Sequence, residues 1–325
     1  MTEAAGGRDT RDPEGRPVTS PDSHPRVRRL PLLPAGAFVL VWSSGYVAGL
    51  IGVRAVQPFT LVAVRFALAA VVLALIARVA SGPFRLGRHD WPRVVVVGVV
   101  VNAVQFGCYY VGFTLGAPAT LSAMLTALSP VLTVVLGFLA LHEQVRRVQV
   151  VGLVVGIGGV VLVLGPDVQA AGGALGIAFI AAGTIALSLG TLGQRWISPR
   201  ADPLWSATVQ FAVAVAPSAV LALALEGLHG VSDPTTGAVA VAWLALVNSV
   251  GGLLLLGLLV RTGGAGAASS VFFLIPPVTA VLAWLFLDEV LRAYQLAGML
   301  VATVGVALAT RSTGPGPAVR RSAEG

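Results

Sequence analysis

Apolar residues run along this chain in long stretches, broken at charges, Gly/Pro clusters and turns. Dividing it at those breaks gives ten segments: 34–53, 58–79, 92–114, 118–141, 148–165, 173–195, 203–225, 238–260, 266–287 and 293–311. Each is close to the roughly 20 residues that carry a helix across about 30 Å of hydrocarbon. The alternation of period two that a membrane barrel requires is missing. The pattern predicts an all-α integral membrane protein with ten transmembrane helices. The turn near Gly116 to Pro118 is so short that the helices it joins must be neighbours. Pro130 interrupts the fourth segment, and Pro276 and Pro277 the ninth. A missing backbone N–H permits bending there, which makes these prolines candidate gating hinges.

Outside the segments, residues 1–29 are rich in Arg, Asp, Pro and Gly and cannot bury enough apolar area to fold. They read as a disordered tail, with 312–325 as a second tail. "RVRRLPLLPAGAFVL" has a twin-arginine look ahead of an apolar run. Because further spanning segments follow throughout, it reads as a retained first helix rather than an export signal.

Composition sharpens the class. At 56% hydrophobic and 11% charged, with a mean hydropathy of +0.88, the chain has far more apolar surface than a soluble core needs. The net charge of +7 is Arg over carboxylates, since the chain has no Lys. Nucleic acid as a partner is excluded on position, because these Arg residues lie between apolar runs and not on a soluble face. With the N-terminus inside, eighteen Arg fall on inner connections and tails, and only Arg54 and Arg292 on outer ones. That is a positive-inside bias, so both termini are expected in the cytoplasm of a multi-pass inner (plasma) membrane protein. Trp91, Trp196 and Trp205 fall near the inner boundary, where aromatic rings favour the interface. Cys108 is the single cysteine, so no intrachain disulfide can form, and it reads as a packing residue.

"LHEQVRRVQ" at 141–149 is echoed by "LDEVLRAYQ" at 287–295. At that offset of 146, Pro130 pairs with Pro276, Thr133 with Thr279, Glu143 with Glu289, Gln149 with Gln295 and Gly152 with Gly298. At 145, "PFTLVAVRFALA" from Pro58 matches "PLWSATVQFAVA" from Pro203. The chain therefore divides into repeats at 30–165 and 166–311. Five spans in each is an odd number, so the second copy enters the membrane from the opposite side. Inverted repeats of this kind are the signature of a carrier whose site at the repeat interface opens to each side in turn.

Taken in order, "VWSSGYVAG", "QPFTLVAVRFALA", "LSPVLTVVLGFLALHEQV" with "VVGLVVGIGGVVLVLG", and "IPPVTAVLAWLFLDEVLRAYQLAGMLVATVGVAL" resemble the EamA-type transporters of the drug/metabolite transporter superfamily. The resemblance implies ten helices, inverted five-helix repeats and a central cavity for a small metabolite or drug; the function expected is movement of a small metabolite, amino acid or drug-like molecule by alternating access, with export as the favoured direction although the sequence does not fix it. It names no substrate. The second repeat has Gln210 where the first has Arg65, so any role of Arg65 is not duplicated.

Polar residues inside the spans carry the remaining signal, since amide or ionisable groups in hydrocarbon need partners. Asn102, Gln105 and Tyr109 share one face of the third helix, and Asn102 falls on Asn248 at the offset of 146. Each Asn is about ten residues into its helix, roughly 15 Å deep and near the midplane. The expectation is that Asn102 and Asn248 face one cavity, with Gln105, Tyr109 and Ser249 nearby; bonds to neighbouring backbone are the alternative. Arg65 lies about 10 Å along its helix from Pro58 and is the only charge so deep. It must meet a cavity, carbonyls or an anion, as a structural brace or as the attractor of a substrate carboxylate or phosphate. Ser43, Ser44, Thr184 and Ser188 are further cavity candidates, for which interhelical packing is the competing reading. Gly152 to Gly156, and Gly298, Ala302 and Gly305, form small-residue ridges suited to close helix contact, with self-association as a homodimer the alternative.

His24, His89, His142 and His229 lie in tails or connections, and no span has the nucleophile, base or metal-ligand set of an intramembrane enzyme. No catalytic residue, metal site or cofactor is expected. A carrier of a small molecule is the reading, with an intramembrane enzyme or a channel-like protein as the alternatives.

Overall fold

The computed structural model describes residues 32–141, 147–165, 168, 172–227, 230–290 and 292–310. The expected tails, Glu143 and Arg146 lie outside the described residues. Helices account for nearly all of what is described, with one isolated antiparallel bridge between Val56 and Val231.

In chain order the elements are α1 (Leu32–Ala55), α2 (Pro58–Ala80), α3 (Trp91–Thr114), α4 (Ala119–Ala127), α5 (Ser129–Leu141), α6 (Arg147–Leu164), α7 (Gly173–Gln194) and α8 (Pro203–Glu226). Then α9 runs from Pro234–Ala242 through Trp243–Gly251 into Gly252–Val271, followed by α10 (Ile275–Leu287) and α11 (Ala293–Thr310). Among the described residues seven helices are long and apolar enough to cross a membrane, and the bent pair α4–α5 makes an eighth. The last two, Phe272–Leu287 and Ala293–Ala309, are apolar but shorter. The chain is a multi-pass membrane protein.

Two expected spans are divided. The fourth breaks into α4 and α5 with a bend of 44°. Pro130 has no N–H to close the helical ladder, and the chain tightens instead through Leu128 N–H to the Leu125 carbonyl at 3.1 Å. The ninth, expected at 266–287, begins as the end of α9, passes a 3₁₀ turn at Phe272–Leu274 and restarts as α10. Pro276 and Pro277 stand in the first turn of that new helix, where a missing donor costs least.

Apolar side chains sit on both sides of the wall these helices build. Phe38, Leu61, Val62, Phe66, Leu73, Leu244 and Leu259 fill the interior, whereas Leu33, Val79, Leu225 and Leu300 point outward as lipid-facing surface. Each helix of the first half contacts helices of the second: α2 lies on α8, α6 on α11, α3 on α7 and α1 on α10. The α6–α11 contact is the closest. A methyl group built on Gly152 would meet the Gly305 carbonyl at 2.5 Å, and one on Gly298 the Gly159 carbonyl at 2.6 Å. The two glycine ridges thus meet each other within one chain.

At one end of the molecule the turn after α1 is tied to the segment before α9. Gln57 N–H donates to the Gly230 carbonyl at 2.7 Å, and Ser232 N–H to the Ala55 carbonyl at 2.8 Å. The other end carries Arg78, Arg93 and Arg195. There Asp90 accepts from the Ser198 N–H at 3.1 Å and Arg93 donates to the Trp196 carbonyl at 2.9 Å.

Candidate functional site

A cavity of about 580 Å³ occupies the middle of the molecule. From Tyr46, Arg65 and Tyr110 in the interior it extends past Gln210 to Ile197, Ser198 and Pro199, in the connection at the Arg-rich end. Phe66, Phe106, Phe113 and Leu256 give it largely apolar walls with a few polar groups between them, the usual make-up of a small-molecule site.

Arg65 is the charge in this cavity. The first half of α2 carries it inward, and the residue is 2% exposed. Its Nε donates to Ser249 Oγ at 2.9 Å, Nη1 to the Tyr110 hydroxyl at 2.6 Å, and Nη2 to Asn248 Oδ1 at 2.8 Å. The guanidinium lies 4.2 Å over the Phe106 ring centroid and 5.0 Å from that of Phe66. All these partners are neutral. Among the described residues no carboxylate pairs with Arg65, so its positive charge is held in place but not cancelled.

Both predicted amides line this cavity. Asn248 Nδ2 donates to the Val41 carbonyl at 3.0 Å while its Oδ1 takes Arg65. Asn102 Nδ2 donates to the Gln210 carbonyl at 3.2 Å, so each amide reaches the position on the facing helix that holds Arg65 in one half and Gln210 in the other. Each Asn also stands in a π-helical stretch, Val99–Val104 and Trp243–Gly251. Widened turns of this kind recur at functional sites, and they displace the side chains from ordinary α-helical register. Gly45 of α1 leaves the room for Asn248, since a methyl there would overlap the amide.

Gln105, Tyr109 and Ser249 line the same space. The Tyr109 hydroxyl is 2.8 Å from Thr126 Oγ1 and 3.2 Å from Thr184 Oγ1. Gln105 Oε1 is buried with no hydrogen-bond partner. An acceptor in that state costs about 1–3 kcal/mol, which a ligand donor would recover.

The serine and threonine candidates sit elsewhere. Ser43 Oγ donates to the Ile275 carbonyl at 3.2 Å, and Ser188 Oγ lies 3.0 Å from Ser129 Oγ, both fully buried between helices. Thr184 stands behind Tyr109, donating to the Ile180 carbonyl at 3.0 Å. Ser44 accepts from the Trp243 indole at 2.9 Å beside a separate apolar groove. None of these four belongs to the cavity wall. A short hydroxyl in a helix is satisfied by its own or a neighbouring backbone, which is what these four do.

Several lining residues carried no signal that the sequence reading used: Tyr46, Tyr110, Phe66, Phe106 and Gln194. Gln194 Nε2 donates to Gln210 Oε1 at 2.9 Å, an amide pair near the mouth. Phe106 follows Asn102 by four residues and so shares its face, a spacing that could have flagged it.

A model of the EamA-like transporter family matches this chain twice, at residues 32–165 and 174–311. The uncharacterized transporter YvbV of Bacillus subtilis (strain 168) is 22% identical over 270 residues, covering 83% of this chain and 88% of that protein. A probable terminal-alkyne amino-acid exporter of Streptantibioticus cattleyicolor is 26% identical over 288 residues, 85% and 91% of the two chains. A probable amino-acid metabolite efflux pump of Escherichia coli (strain K12) is 23% identical over 281 residues, 82% and 90%. A solved crystal structure superposes with a TM-score of 0.60 at 21% identity, covering 86% of this chain and 96% of that one, a likeness of fold. With both halves matched by one family model and a cavity lined from both of them, the chain is a membrane transporter and belongs to the EamA-like transporter family.

Proposed function

We propose that this transporter exports a small zwitterionic metabolite, an amino acid or amino-acid derivative, by alternating access, and has no enzymatic activity. The observation that carries this reading is the buried guanidinium of Arg65, held by three neutral acceptors with its charge uncancelled. A carboxylate entering the cavity supplies the missing anion and takes the remaining N–H donors. Gln105 Oε1, buried and unpartnered, is the acceptor for an ammonium or other donor of the same ligand. Asn102 and Asn248 flank the substrate, Asn248 chiefly by orienting Arg65, and Tyr109 and Ser249 complete the polar surface. Phe66 and Phe106 give its apolar part a wall. Two relatives described as amino-acid exporters or efflux pumps support both the substrate class and the direction.

The architecture we infer is ten membrane spans in two inverted five-helix repeats, 30–165 and 166–311. Support comes from the doubled family match and from equivalent helices lying on each other, α2 on α8 and α6 on α11. The Arg bias supports a cytoplasmic location for both termini, and with that orientation the cavity in this state opens inward. The broken helices at Pro130 and at Pro276–Pro277 are the hinges.

Uptake of radiolabelled amino acids into proteoliposomes tests the reading. Flux should saturate. Arg65→Gln, which copies the residue of the second repeat, should weaken apparent affinity for carboxylate substrates by about ten- to a hundredfold, from losing a charged hydrogen bond. Decarboxylated analogues should be spared and the folded yield unchanged. Equal losses for acids and amines would sink the carboxylate assignment, and loss of folded protein would make Arg65 a brace.

A further inference from the structure

At the end opposite the cavity mouth, two carboxylates are used in the same way. Glu226, the last residue of α8, accepts through Oε1 from the Phe59 N–H at 2.6 Å, and through Oε2 from the Thr60 N–H at 2.9 Å and hydroxyl at 2.7 Å. Glu289, beyond α10, accepts through Oε1 from the Ala119 N–H at 2.8 Å, and through Oε2 from the Thr120 N–H at 3.3 Å and hydroxyl at 2.7 Å. Each target begins Pro-x-Thr: Pro58, Phe59, Thr60 in one case and Pro118, Ala119, Thr120 in the other. Proline brings no N–H, so the next two backbone donors are the unpaired ones at the positive end of the helix.

These contacts differ from ordinary capping in where the cap comes from. In the second half, Asp202 caps α8 and Asp233 caps α9 from the adjoining residue. Neither α2 nor α4 has a side-chain cap of its own at the residue before the helix. Their donors are satisfied from the other half of the chain, 166 to 170 residues away. Both ties run from second half to first, and both stand at the closed end. A cap that serves only local helix stability has no need to cross between the halves; a tie that holds them together at one end does.

We propose that Glu226 and Glu289 are the gate residues of the closed end, and that both must release their helix N-termini before the cavity can open there. This rests on the alternating-access reading above. The halves cannot part at that end while either carboxylate bridges them with three charge-assisted hydrogen bonds. Once parted, water entering the opened cleft takes over the freed N–H groups, so the exchange is near balance, as a gate requires. The backbone bonds Gln57 to Gly230 and Ser232 to Ala55 flank the Glu226 tie and part with it.

A reporter cysteine inside the cavity tests the proposal without knowledge of the substrate. Leu187→Cys in a Cys108→Ala background places one thiol on the cavity wall. Its reaction with a membrane-impermeant maleimide is timed from each side of oriented vesicles. With both carboxylates intact, the thiol should react from both sides, more slowly from the closed end. Glu226→Gln with Glu289→Gln should raise the closed-end rate relative to the other side by roughly tenfold or more, because charged hydrogen bonds are lost. Thr60→Val with Thr120→Val removes only the hydroxyl contacts and should shift the ratio the same way by less. A ratio untouched by these substitutions, with both sides reactive, would overturn the gate while leaving alternating access standing. Reactivity from the mouth side alone in every variant would overturn alternating access and the gate with it.

Discussion

Arg65 and Asn248 depend on a glycine in the cavity wall. Gly45 in α1 faces the Asn248 amide so closely that one added methyl overlaps it. Gly45→Ala should therefore push Asn248 off Arg65 and leave a buried guanidinium N–H without its acceptor. The expected outcome is full membrane insertion with transport reduced about tenfold or more, read as uptake per folded protein. Asn248→Leu and Asn102→Leu should each abolish transport in protein that stays monodisperse, and retained transport in both would remove the amides from the site. The two asparagines were legible in the sequence, because an amide at the midplane is rare and the pair recurs at one offset. Tyr110 was not. Its hydroxyl meets an Arg 45 residues away, and nothing local tells it from Tyr109, which turns to Thr126 instead.

Helix existence and approximate bounds followed from hydropathy alone; breaks and turn widths did so only in part. Prolines announced the division into α4 and α5 and the restart at α10, because a missing N–H interrupts the ladder wherever it falls. The π-helical stretches that hold Asn102 and Asn248 had no such marker. A widened turn depends on what the side chains meet across the helix interface, which the local sequence does not state. Glycine ridges were legible as contact surfaces, but their partners were not. The structure joins the ridge of α6 to that of α11. Gly305→Leu should separate these helices at a cost of about 1–3 kcal/mol or more from overpacking. Thermal unfolding of the protein in detergent should register it as a lowered midpoint, and an unchanged midpoint would mean the helices do not need that close approach.

At the scale of the molecule, the charge pattern and the doubled sequence set the expectations that transport measurements can check. Glu226 and Glu289 are engaged as caps at helix ends, and Arg65 carries the cavity's charge without a carboxylate beside it. Transport is therefore expected to be facilitated, by exchange or driven by membrane potential, with no stoichiometric proton movement. A pH-sensitive dye inside vesicles checks this, and proton flux in fixed ratio to substrate would refute it. By itself the sequence determined that the chain lives in a bilayer and where its apolar segments lie, and it carries the echo between halves that one family model also matches twice. Those properties follow from transfer free energy and residue identity, which are local or additive along the chain. Only the tertiary structure decided which polar groups share one cavity, that Ser43 and Ser188 are bonded between helices, and that carboxylates of one half cap helices of the other. Those depend on distances between residues far apart in sequence, which packing sets and composition does not encode.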